Sequence, residues 1–372
     1  MNIQIPAQRT IPEILSEFKE LVFSHPIAKD TFRDLASSLG ATISPQIILL
    51  TGPTGVGKST MAKAARNRML QYFEDRLQEE PDFVPVVTVT AVPPIGSTFN
   101  WKDFYIRLLT GQNEPLVDRK LLIPNQGTLF PNHPLHPKPL QQSTTDALRR
   151  SVEEYLRLRK VKLLIIDEAH HMLLVNNSRQ LECQFESLKI LTMVTGVTIL
   201  LIGTYRLLDI LDQSGQLTRR SQVVNFPRYD MRKNSDRENF RKTLGFLEHK
   251  MSEHAQTRLI DQADYFYRKC AGCIGILKDW LSRCLEYALQ EKIQVIDAAF
   301  ADRFALKNLG LENIIEEACV GELKLADVGD DRILDLLTNG VLLSRNDHDL
   351  PLKKRRPGQR NPKRDPVGGK RF

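Results

Sequence analysis

Apolar residues recur along this chain at two different periods. Between residues 11 and 22 they fall at Ile11, Ile14, Leu15, Phe18, Leu21 and Val22, which is helical spacing, and residues 11–40 read as two short amphipathic helices. Five apolar runs of strand length follow: QIILLTG (46–52), VPVVTVTAV (84–92), KLLIIDE (162–168), VTILLIGT (197–204) and QVVNF (222–226). Helical patterns over 58–78, 145–160 and 179–194 separate most of them. Strands that are apolar almost throughout, alternating with helices, predict an α/β fold with a parallel sheet covered on both faces.

Two regions break this rhythm. Residues 111–143 carry Pro115, Pro124, Pro131, Pro134, Pro137 and Pro139 and read as a long insertion loop. After Tyr229 no strand pattern returns, and 233–251, 256–271, 274–291 and 295–309 read as helices. The expected division is an N-terminal helical segment (1–42), an α/β domain (43–230), an all-helical region (231–345) and a tail (346–372).

Composition changes this picture little, but the placement of charge changes it more. With 41% apolar and 26% charged residues, the 372-residue chain reads as an ordinary soluble protein. No apolar run approaches the ~18–20 residues that cross a bilayer. The opening MNIQIPAQRT lacks a basic-then-apolar signal, so a cytoplasmic protein without membrane partners is expected. The net charge is +7, yet residues 353–372 hold nine Lys/Arg and one Asp, and the rest is nearly balanced. Such a tail cannot bury enough surface to fold alone and is expected to be disordered. It suits contact with nucleic acid or an acidic partner, or it simply solubilises the chain. Five cysteines include the pair Cys270 and Cys273, but no second pair completes four zinc ligands, so reduced structural thiols are expected.

The candidate chemistry lies at the strand ends. GPTGVGKS, Gly52 to Ser59, matches G-x-x-x-x-G-K-[ST] between an apolar strand and a helix. Glycines let the backbone curl so that its N–H groups face phosphate oxygens, backed by a helix N-terminus. Gly52, Pro53, Thr54, Gly55, Val56, Gly57, Lys58, Ser59 and Thr60 are therefore the candidate nucleotide-binding residues. Lys58 can reach the β- and γ-phosphates of ATP, and the Ser59 hydroxyl can ligate Mg²⁺. In LLIIDEAHH, Asp167 ends a buried strand and would hold Mg²⁺, while Glu168 is placed to polarise the attacking water. The letters DEAH suggest a helicase box, but a helicase needs a second strand-rich motor core. His170 and His171 accordingly read as helix-start residues rather than metal ligands. Thr204, ending another strand, can orient a water beside the γ-phosphate.

Together with Arg219 and Arg220 ahead of the fifth strand and GCIGILKDWL further on, these motifs resemble AAA+ ATPases. The resemblance implies an AAA+ P-loop NTPase sheet followed by a small helical lid. It also implies that Arg219, or Arg220 beside it, reaches the γ-phosphate of a neighbouring subunit, an effect worth about 10³–10⁵ in rate. Lys278 matches a basic lid residue that senses nucleotide in the same subunit. TGPTGVGKST, LLIIDEAHHM, ILLIGTYRLLDIL followed by QLTRRSQVVNF, and the lid motif further resemble the TniB/TnsC branch of DNA-transposition regulators, over roughly residues 10–300. That branch implies ATP-dependent rings or helical filaments on double-stranded DNA in the bacterial nucleoid. Its implied partners are a TniQ/TnsD-type target selector and TnsA/TnsB-type transposase subunits, as in Tn-seven-like and CRISPR-associated transposons. Lys102 matches one DNA-contacting position of the branch, and Ser143 or Thr144 another. Two alternatives stand beside this reading. One is an AAA+ replication initiator or helicase loader; the other is a nucleotide-switched scaffold with little turnover.

Overall fold

The computed structural model describes residues 10–22, 24–40, 46–94, 96, 98–111, 143–174, 178–213, 221–326 and 329–339. The expected insertion loop (apart from its end residues 111 and 143), the basic tail, the side chain of Cys183 and both Arg219 and Arg220 lie outside what is described there. Contacts divide the chain into one unit over residues 1–325 and a second over 326–372.

The five apolar runs all become strands: β1 (Ile47–Thr51), β2 (Val86–Thr90), β3 (Leu163–Asp167), β4 (Thr198–Gly203) and β5 (Ser221–Asn225). They pair in parallel in the order β2-β3-β4-β1-β5. Their side chains alternate between two cores, as the period of two requires. Ile47, Leu49, Val87, Val89, Leu164, Ile166, Ile199 and Leu201 face one core. Ile48, Leu50, Val86, Leu163, Ile165, Leu200, Ile202 and Val224 face the other. In the inner strands β1, β3 and β4 both faces are buried, so their runs are apolar at nearly every position, while the edge strands β2 and β5 carry exposed Thr88, Thr90 and Gln222.

The helices of the first unit are α1 (Ile11–Glu20), α2 (Pro26–Gly40), α3 (Lys58–Tyr72), α4 (Glu74–Glu79), α5 (Trp101–Thr110), α6 (Thr145–Leu158), α7 (Ser178–Thr195), α8 (Asn234–Ser252), α9 (Ala263–Cys270), α10 (Ile274–Gln290), α11 (Ala298–Asp302) and α12 (Asn308–Leu325). Helices α5, α6 and α7 fill the first core, and α2 and α3 fill the second. The pattern read as one helix over 58–78 is broken at Phe73 (φ −107°, ψ 20°), whose ring meets Phe83 edge-on at 5.3 Å. The second unit contributes α13 (Asp330–Asn339), with Ile333, Leu334 and Leu337 exposed. No helix among the described residues is long and apolar enough to cross a membrane.

A third core belongs to the region after Tyr229. It gathers Phe240, Leu244, Phe266, Leu277, Trp280, Leu281 and Leu285, together with Ile14, Leu15 and Phe18 of α1. The fully buried Trp280 is satisfied through Nε1, which donates to the carbonyl of Ala301 at 2.8 Å. This region is not wholly helical. β6 (Gln256–Arg258) and β7 (Val295–Asp297) form a parallel pair, which corrects the expectation that no strand follows Tyr229. Strands of three residues leave no period to read, and each lies at the start of a segment otherwise helical. Cys270, Cys273 and Cys284 are free and buried in or beside this core, as structural thiols, and burial pushes the Cys273 thiol up to about 12.

Candidate nucleotide site

The strand order sets the site. β4 lies between β1 and β3, so Thr51, Thr204 and Asp167 end or follow neighbouring strands at one edge of the sheet. Ligands of open parallel sheets collect at this carboxyl edge.

The loop after β1 is held by close backbone approach. Phe226 N–H donates to the carbonyl of Thr51 at 2.7 Å, and a Cβ on Gly52 would lie 2.2 Å from the carbonyl oxygen of Phe226. Only glycine fits there. Gly57, the residue that opens α3, has φ 109°, a conformation that side chains strongly disfavour. Val56 just before it is buried, while Ser59 and Thr60 are exposed on the first turn of α3. Lys58 Nζ donates to the carbonyls of Gly52 (2.9 Å) and Pro53 (2.8 Å), lying across the mouth of the loop. Burial pulls the Lys58 ammonium below the ordinary lysine range; the Glu168 charge opposes this most strongly, with Glu317 and Asp167 adding to it. These carboxylates therefore share its electrostatic surroundings.

Asp167 Oδ1 accepts from the Glu168 N–H at 2.9 Å. Glu168 itself takes φ 53°, ψ 32°, a left-handed conformation uncommon outside glycine. That turn swings its carboxylate off the strand direction and leaves it 45% exposed. The 3-10 turn 169–173 follows, so His170 and His171 do stand at a helical start.

Thr204 is buried, and neither its Oγ1 nor that of Thr51 has a hydrogen-bond partner among the described residues. A buried hydroxyl left unpaired costs about 1–3 kcal/mol. Two such groups on adjacent strand ends, beside a lysine and a carboxylate pair, fit a bound phosphate and its water. Lys58, Ser59 and Asp167 likewise supply the donor types that a nucleotide with Mg²⁺ requires.

Helix α10 reaches the loop through its backbone: Ile276 N–H donates to the carbonyl of Gly55 at 3.3 Å. Lys278, by contrast, is turned away from this contact. Its Nζ donates to the carbonyls of Lys19 and Leu21, both at 2.7 Å, where a cation complements the end of α1. The lysine expected to sense nucleotide here joins α1 to α10. Lys102, in the first turn of α5, is half-buried. Thr144 caps α6, its Oγ1 accepting from Ala147 N–H at 3.3 Å, and Ser143 beside it is buried. Lys102 and Ser143/Thr144 thus stand at the starts of two helices packed on each other.

A cover on the other side has no signal in the sequence pattern. α12 packs on the 3-10 segment 205–213 that follows Thr204. Gly321 lies so close to the Tyr205 ring that a Cβ would fall 2.1 Å from it, and Lys324 pairs with Asp209. Arg228 Nε and Nη2 donate to the two Glu322 carboxylate oxygens at 2.8 and 3.2 Å. No local period announces such a long-range fork. Only the lone basic residue between Pro227 and Tyr229 hints at it.

Residues 42–211 match the AAA domain family model. Solved structures similar to this chain include the ORC2 protein of Aeropyrum pernix in its ADP form (12% identity over 82% of this chain and 70% of that one, TM-score 0.48). Drosophila ORC bound to DNA is another (13% identity, 91% and 86% covered, TM-score 0.49). A third is a Walker-type ATPase of Pyrococcus abyssi (14% identity, 82% and 78% covered, TM-score 0.46). No curated protein matches the chain. The stretch that matches the AAA domain model thus holds β1 to β4, the glycine loop on β1 and the acidic pair Asp167 and Glu168, and β5 lies just beyond it.

Proposed function

We propose that this chain hydrolyses ATP and uses the nucleotide to assemble on double-stranded DNA as a regulator of transposition. The observation that carries the hydrolytic half is the buried, unpaired Thr204 hydroxyl on the sheet edge that also ends in Asp167 and Glu168. In this reading Lys58 neutralises charge on the β- and γ-phosphates, and the Glu168 carboxylate takes the proton of the attacking water. Thr204 Oγ1 aligns that water. Mg²⁺ held by Ser59 and Asp167 would neutralise phosphate charge. Arg219, with Arg220 beside it, acts on the nucleotide of a neighbouring subunit, so turnover depends on assembly.

The transposition reading rests on the TniB/TnsC-like motifs, above all the Gly-Thr-x-Arg-Leu stretch from Gly203 to Leu207. Lys102 and Ser143 or Thr144 are its proposed backbone contacts to DNA, a mode that carries affinity without sequence information. Target choice then falls to a TniQ/TnsD-type selector, and transposase subunits are recruited downstream.

Phosphate release from ATP, measured with and without duplex DNA, tests this. The parent should turn over faster with DNA. Glu168→Gln should lose about 10²-fold or more in rate while still binding ATP. Turnover at the parental rate in that variant would remove Glu168 from its role, and a parent without turnover would leave only the nucleotide-switched scaffold.

A further inference from the structure

His170 lies two residues beyond Glu168, with a side chain only 13% exposed. Its Nδ1 is 3.2 Å from Glu168 Oε2, off the line of a full hydrogen bond, and has no other partner among the described residues. A buried polar nitrogen without a partner is costly, so its placement beside one particular carboxylate calls for an explanation.

The segment that carries the ring is braced on two sides. His171 lies against it, with ring centroids 4.3 Å apart. His171 Nδ1 is in turn 2.9 Å from the carbonyl oxygen of Ala91, just past the end of β2. On the other side the His170 backbone nitrogen presses on the end of β4, where a Cβ on Gly203 would lie 3.1 Å from it. The next residue is Thr204. Burial, ahead of the charges of His171, Lys58 and Arg206, pushes the His170 pKa down to about 4, so the ring is neutral near pH 7. A neutral imidazole has one N–H. Beside a carboxylate that hydrogen belongs on Nδ1, since the other tautomer would set a lone pair against Oε2.

We propose that His170 is a positioning residue for Glu168: its Nδ1–H steers the carboxylate and ties its orientation to the Gly203–Thr204 end of β4. A small turn of the Glu168 side chain completes the hydrogen bond. The base that polarises water and the hydroxyl that aligns it are then set by one rigid piece. This deepens the proposed function and rests on the reading of Glu168 as general base.

Steady-state ATP turnover of the full chain, together with titration of a fluorescent ATP analogue, tests it. His170→Leu should lower kcat by about 10- to 100-fold while KM and analogue affinity stay within about twofold. His170→Asn, whose amide can donate from near the Nδ1 position, should restore most of the rate, and His170→Gln, which donates from near Nε2, should not. In a Glu168→Gln background, His170→Leu should change the residual rate by less than about twofold, because both act through one group. Parental turnover in His170→Leu overturns the proposal, as does equal recovery by Asn and Gln or a full further loss in the double variant. Unchanged turnover in Glu168→Gln alone removes the base reading itself, and the role of His170 falls with it.

Discussion

The backbone N–H of Ile276 donates to the carbonyl oxygen of Gly55, so the first turn of α10 is hydrogen-bonded directly to the glycine loop. The contact depends on Gly275, where a Cβ would lie 2.4 Å from that same oxygen. The loop and the region after Tyr229 cannot move independently while it holds. Gly275→Val should therefore push loop and lid apart and weaken ATP binding by about tenfold, or ~1.4 kcal/mol. Titration with a fluorescent ATP analogue reads this, and parental affinity would show that the contact is incidental.

Arg228 and Glu322 form a two-pronged pair whose side chains are 17% and 29% exposed, linking the end of β5 to α12. Removing one partner strands the other charge in a half-buried place, at a cost of about 1–3 kcal/mol. Arg228→Ala and Glu322→Ala should each lower stability by that amount in urea unfolding. Because they share one interaction, the double variant should lose clearly less than the sum. Strict additivity would mean that the pair contributes nothing as a pair.

His25 is buried between α1 and α2, stacked at 6.1 Å on Phe226, with Nδ1 3.0 Å from the Tyr229 hydroxyl. Burial pushes its pKa down to about 4 from an ordinary 6.5. The unfolded chain then binds the proton over a range where the folded chain does not, so stability is lost as pH falls from about 6.5 toward 4. The loss from this group is at most about 3 kcal/mol. Replacement by Gln should lower stability at pH 7 yet flatten its fall between pH 6.5 and 4.5. His170 shifts in the same direction, but it is present in both proteins and cancels in the difference. Parallel pH profiles would mean that His25 accepts its proton in the folded state.

The sheet and the loop on β1 were legible because their causes are local. Strands buried on both faces are apolar almost throughout, and a tight backbone curl needs glycine where φ is positive, as at Gly57. The small β6–β7 pair was not legible, because three residues carry no period. Nor was the partnership of Ile14, Leu15 and Phe18 with the core around Trp280. Periodicity reports that α1 has an apolar face but not which distant surface receives it. Lys278 shows the same limit within the site. Its motif position suggests a lid residue, and α1, far away in sequence, takes its ammonium group. The strand ends that place Glu168 and Thr204 could be located from their apolar runs. The His170 contact depends on a left-handed turn at Glu168 that nothing in the letters announces.

The most direct test of the central claim is electron microscopy of the full chain with duplex DNA, comparing ATP or a slow analogue, ADP and no nucleotide, with Lys58→Ala as control. Rings or filaments should form on DNA with ATP, none without nucleotide, and none for Lys58→Ala under any condition. Dispersed particles that bind ATP but ignore DNA, or assemblies that form equally well in the Lys58→Ala variant, would contradict it.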